Sequence, residues 1–126
     1  MIRNSIAATL ALLASAAALP ASAQSGVETS RGSGAVLRAL DKVTSQLTDL
    51  ELAPGEAADI GRLNVRLGEC RYPSADPNSD AFAQLVITDR NSSATLFDGW
   101  MIASSPALSA LDDARYDVWV LGCQSA

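Results

Sequence analysis

Apolar residues recur in this chain with a period of two. Leu63, Val65 and Leu67 alternate with Asn64, Arg66 and Gly68, which gives a strand one apolar and one polar face. The same period returns at Leu85 and Ile87 against Val86 and Thr88, at Phe97 and Met101 against Leu96, Asp98, Trp100 and Ile102, and at Val118 and Val120 against Asp117, Trp119 and Leu121. Between these stretches lie turn-forming clusters: Asp41 to Ser45, Ala53-Pro54-Gly55-Glu56, the run from Pro73 to Asp80, and Arg90-Asn91-Ser92-Ser93. The expected strands are 57–72, 81–89, 95–103 and 116–123, after a hairpin of 35–42 and 46–52 in which the first arm could also be helical.

One local helix signal interrupts them. Ser105 is placed to cap, Pro106 suits a first helical position, and Ala107, Leu108, Ala110 and Leu111 follow before Asp112-Asp113. The expected fold is therefore all-β: a small antiparallel β-sandwich or partly closed barrel of about seven strands, with one short helix.

The first segment is read as a cleaved signal peptide spanning residues 1–23. Arg3 supplies the positive start, Ile6 to Leu19 is apolar and uncharged, and Ala21-Ser22-Ala23 is an A-x-A cleavage pattern. This run of 14 residues falls short of the about 20 that a membrane span needs. Residues 24–33, polar and small, are expected to be a disordered leader, and 34–126 a single β-rich domain. The expected location is the periplasm, with no membrane span after cleavage.

Removing Arg3 takes the net charge from −5 to −6. An acidic chain without a basic run offers little to nucleic acid. The chain has no histidine, so it lacks the commonest general base and metal ligand. Cys70 and Cys123 are its two cysteines, and in an exported protein a disulfide is the expected pairing. Cys70, however, has the wrong parity for the apolar face of its strand. A bulge is required, and Gly68 is a plausible place for it.

The tryptophans admit two readings. Core packing is the default, with Trp119 beside the disulfide. The functional reading is a partly exposed surface comprising Trp100, Ser104, Ser105, Pro106, Leu108 and Trp119, which would bind an envelope protein. No catalytic motif, cofactor fingerprint or metal set is evident. Two alternatives remain: a cell-wall-acting enzyme using Asp98 and Asp117 as paired carboxylates, or a small-ligand or ion binder at Asp76, Asn78 and Asp80, which begin a calcium-loop spacing without its glycine and final glutamate.

The run from Gly99 to Leu111, GWMIASSPALSAL, is followed by Tyr116 to Leu121 and Cys123. Together with the opening Gly34 to Thr44 and the central Cys70-Arg71, it resembles the signature of domain-of-unknown-function family 2155 across nearly the whole mature domain. The resemblance implies an exported protein of Gram-negative bacteria with a shared fold, and it assigns no catalytic residues. The chain departs from the pattern at Ser45, where a turn glycine is expected, and at Gly122, where a polar residue is expected. These readings converge on a non-catalytic interaction or accessory module of an envelope or inner-membrane complex.

Overall fold

The computed structural model describes residues 26–125; the expected signal peptide lies outside them. Eight antiparallel strands form two sheets that do not close into a barrel. In chain order they are β1 (Thr29–Arg31), β2 (Gly34–Asp41), β3 (Gln46–Leu52), β4 (Ala57–Ile60), β5 (Leu63–Pro73), β6 (Phe82–Asp89), β7 (Thr95–Ile102) and β8 (Tyr116–Gln124). The large sheet runs β1–β5–β6–β7, with β4 sharing the β1 side of the long strand β5. The small sheet runs β3–β2–β8. Their facing sides hold the core: Leu63, Val65, Leu67, Leu85, Ile87 and Met101 from one sheet, and Ala35, Leu37, Ala39, Val118 and Val120 from the other.

The stretch expected as one strand, 57–72, is two. Ile60 pairs with Leu63, so Gly61-Arg62 is a two-residue hairpin turn, and Gly61 takes a φ of +54°. Glycine at the first central position is what such a turn favours. The side chain it lacks would also collide with the Tyr116 hydroxyl. Of the expected disordered leader, 24–33, residues 24–25 lie outside the described residues, and the remainder needs correction. Thr29–Arg31 forms β1 against Tyr72 and its neighbours, and the Gly32 amide donates to the Cys70 carbonyl at 2.7 Å. The free upper half of β5 supplies unpaired backbone groups, and a short polar segment satisfies them as well as an apolar one would.

Two bulges solve the cysteine parity problem. Leu67 faces Leu85, yet Cys70 faces Ala83, so Gly68-Glu69 carries one extra residue. On β8, Leu37 faces Val120 while Val36 faces Gly122, so Leu121 is the extra residue there. Each bulge turns its cysteine toward the core, and the Cys70–Cys123 disulfide ties the two sheets together.

The expected helix is a single 3-10 turn, Pro106–Leu108, and the Ser105 side chain makes no cap bond to it. A continued helix would put Leu108 and Leu111 on one face. Only Leu111 is buried, whereas Leu108 is 78% exposed. Pulling Leu111 between the sheets extends the backbone at Ser109 and ends the turn. Asp113 then accepts the amides of Arg115 and Tyr116 and starts β8. Arg62 bridges Asp89 and Asp113. The buried Tyr116 ring lies between Arg62 and Arg115, whose guanidinium carbons stand 5.6 and 5.4 Å from its centroid.

Neither tryptophan is in the core. Val118 and Val120 face inward, so Trp119 points to the outer side of the small sheet, and Met101 inward sends Trp100 to the outer side of the large one. On the inner side, the Phe97 ring lies beside the bare Gly99 backbone.

Candidate functional site

The outer side of the large sheet carries an apolar depression. Phe82 and Ile102 are cross-strand partners, Trp100 follows two residues before Ile102 on β7, and Phe82 also faces Arg71 on β5. Val27, just ahead of β1, and Thr29 close the far end. The space is about 460 Å³ and almost wholly apolar in its walls. Val27 is 73% and Trp100 39% exposed, so the patch offers large side chains to a neighbour.

Arg71 is its one charged wall. The guanidinium donates to the Thr29 hydroxyl at 2.8 Å and to the Thr29 carbonyl at 3.1 Å. Glu69 lies 3.7 Å from its remaining arm. With the head fixed by β1, the methylene stem extends the apolar floor.

A second, polar cleft of about 290 Å³ lies beside the disulfide, between Asn78, Asp80, Ser104, Gly122 and Cys123. The Asp80 carboxylate accepts the amides of Ala81 and Ser104 at 2.8 and 3.0 Å and the Ser104 hydroxyl at 2.7 Å. Burial pushes this carboxyl upward, but those three donors outweigh it and hold it below the ordinary aspartate value. The arrangement is a clasp between the 73–80 loop and the segment entering the 3-10 turn.

A third groove runs along β8, between Pro106, Ala107, Ala110 and Leu111 on one side and Asp117, Val118 and Trp119 on the other. The residues expected to form one surface are therefore distributed over three. Trp100 belongs to the apolar patch, Ser104 to the clasp, and Pro106 and Trp119 to the β8 groove; Ser105 and Leu108 line none of these three. Sequence reasoning missed Val27, Thr29, Arg71 and Phe82 as neighbours of Trp100. Ile102 was legible, because it shares parity with Trp100.

Asp98 points outward from the large sheet and Asp117 outward from the small one, on opposite sides of the sandwich. They share no cleft, which removes the geometry that paired-carboxylate catalysis requires. At the calcium-like spacing, the Asp80 carboxylate is used by Ser104, and the Asp76 carbonyl accepts the amide and hydroxyl of Ser79. Among the described residues, no three histidine, cysteine, aspartate or glutamate side chains converge as metal donors. No helix among them is long and apolar enough to cross a membrane.

The fold and its outer face thus define a disulfide-linked antiparallel β-sandwich with an apolar patch beside an edge strand. The chain belongs to domain-of-unknown-function family 2155, "Uncharacterized protein conserved in bacteria (DUF2155)", which matches residues 35–123. It is also 30% identical over 89 residues to the uncharacterized protein RP359 of Rickettsia prowazekii (strain Madrid E). That match covers 68% of this chain and 57% of the relative. No solved structure matches it. The matched region takes in β2 through most of β8 and leaves out β1, so Val27 and Thr29 of the patch lie before it.

Proposed function

We propose that the protein is exported to the periplasm and serves there as a non-catalytic interaction module, an accessory component of an envelope or inner-membrane complex. It docks through the outer side of the large sheet around Trp100. The observation that carries this reading is the joined apolar surface of Val27, Phe82, Trp100 and Ile102, because contiguous exposed apolar area marks an interaction site. Export rests on the Arg3, Ile6–Leu19 and Ala21-Ser22-Ala23 pattern and on a disulfide that an oxidising compartment would maintain.

The test is site-specific photo-crosslinking in cells, with the reactive residue placed at Trp100 and, as a control, at Glu51 on the far sheet. The expected result is one reproducible envelope protein captured from position 100 and absent from position 51, in the periplasmic or membrane fraction. Equal capture from both positions, or a cytoplasmic protein carrying an intact residue 1–23 segment, would overturn the proposal.

A further inference from the structure

The edges of the two sheets are unequally protected. One side of β5 is shared by β1 and β4, of three and four residues. β3 carries Asp49 and Glu51, and β8 is flanked by residues 106–111. β7 is different: an eight-residue edge strand, TLFDGWMI, whose one bulge lies at its start, at Leu96, leaving Phe97 to Ile102 in regular register, with Asp98 as its single charge and no proline. Natural edges are ordinarily blunted by shortness, charge or cover, and an edge that is not blunted is a template for another strand.

The hydrogen-bond alternation shows which groups are free. The Ala103 amide donates to the Ala81 carbonyl at 2.9 Å, and Ala83, Leu85 and Ile87 face Met101, Gly99 and Phe97. In an antiparallel ladder bonded and non-bonded pairs alternate. Phe97, Gly99 and Met101 therefore turn their N–H and C=O groups toward β6, while Asp98 and Trp100 turn theirs to the open edge. The side chains of Asp98 and Trp100 both project on the outer side, where Trp100 borders the apolar patch. Among the described residues the Asp98 carboxylate has no ion-pair partner, although the outward aspartates of the small sheet, Asp49 and Asp117, have Arg38 and Lys42.

From this geometry we infer that β7 is a strand-addition site for an extended, basic segment of a partner protein. The inference rests on the docking reading above and specifies its mode. Main-chain bonds to Asp98 and Trp100 give the affinity. A lysine or arginine lies opposite Asp98, and an apolar residue two positions away lies opposite Trp100 and reaches toward Phe82 and Ile102. Charge decides against a second copy of this chain, which would bring another Asp98 and the same net negative charge, −5 for the full sequence and −6 once Arg3 is removed.

The experiment uses the purified protein, labelled for NMR, and binders selected from phage-displayed random peptides of about ten residues. The selected peptides are expected to carry a basic residue two positions from an apolar one, and to slow exchange of the Asp98 and Trp100 amides. N-methylation of one peptide amide that faces β7 is expected to weaken binding about tenfold, while methylation of the next residue changes it little. Asp98→Lys, at an exposed side chain with no hydrogen bond or ion pair among the described residues, is expected to shift preference from basic to acidic peptides by about two- to fivefold.

Selection of no binder, protection of amides elsewhere, or indifference to N-methylation would overturn strand addition. Crosslinking from position 100 separates the two readings. If it persists, the partner docks on the outer face by side chains alone. If it also fails, the interaction reading falls with it.

Discussion

Removing the disulfide should cost this domain a large share of its stability. Cys70 and Cys123 are 53 positions apart and belong to different sheets. A loop of that length restricts the unfolded chain by about 4 kcal/mol in the chain-entropy model. The total stability of a domain of this size is about 5–15 kcal/mol. The variant is Cys70→Ala with Cys123→Ala, and the assay is urea unfolding followed by far-UV circular dichroism. With a slope of about 2 kcal/mol per molar, the midpoint should fall by about 2 M, and the thermal midpoint by about 15 °C or more. A fall of less than about 0.5 M in urea would refute the reasoning. It would mean that the apolar interface alone holds the sheets together, and that the bulges at Gly68-Glu69 and Leu121 serve something other than cysteine placement.

The remaining predictions concern the ends of the sandwich. The Arg115 hydrogen bond, opposed by burial and helped by the Val43 and Thr44 amides, holds Asp41 down at about 2. The Asn91 and Ser92 amides lower Asp89 against burial. Asp113 is pushed up by burial but pulled further down by Arg62 and the Arg115 and Tyr116 amides. Folded values below unfolded ones add stability that is complete above the unfolded value of about 3.9 and is lost as pH falls through the folded values. The urea midpoint should therefore hold from neutral pH down to about pH 5 and decline from about pH 4 to pH 2, less steeply in Asp41→Asn. Leu111→Ala should cost about 2–5 kcal/mol and Leu108→Ala under about 0.5 kcal/mol, measured by the same unfolding curves; equal costs would mean that a regular helix buries both. Gly61→Ala, which must hold a φ of +54° against the Tyr116 hydroxyl, should destabilise by more than about 1 kcal/mol. Ser45 has a φ of +62°, so Ser45→Gly should raise the urea midpoint by about 0.5 M or less, corresponding to under about 1 kcal/mol.

A good part of the fold was legible in the residues. Period-two alternation at 63–67, 85–88, 97–102 and 117–121 marked strands with two unlike faces, because a pleated strand sends successive side chains to opposite sides. The mismatch of Cys70 with that alternation pointed to a bulge at Gly68, and one is there. The expectation of glycine at position 45 was likewise informative, since the serine that stands there occupies a left-handed conformation. The hairpin turn at Gly61 was present as a lone glycine in a strand pattern, but its neighbours alternate so regularly that the break is easily read through.

What the sequence by itself determined is most of the strands, the antiparallel all-β class, the cysteine pairing and the membership in a family. Each follows from local pattern or from residue identity. Only the tertiary structure decided which side of each sheet met the other. That choice turned Trp100 and Trp119 outward, in opposite directions, and separated Asp98 from Asp117. It also recruited Val27 and Thr29 from a polar leader to the side of Phe82, because β5 is longer than β4 and left backbone groups to be paired. Alternation states that two faces differ; which face is buried depends on what the rest of the chain brings to cover it, and that is a property of packing between segments far apart in sequence.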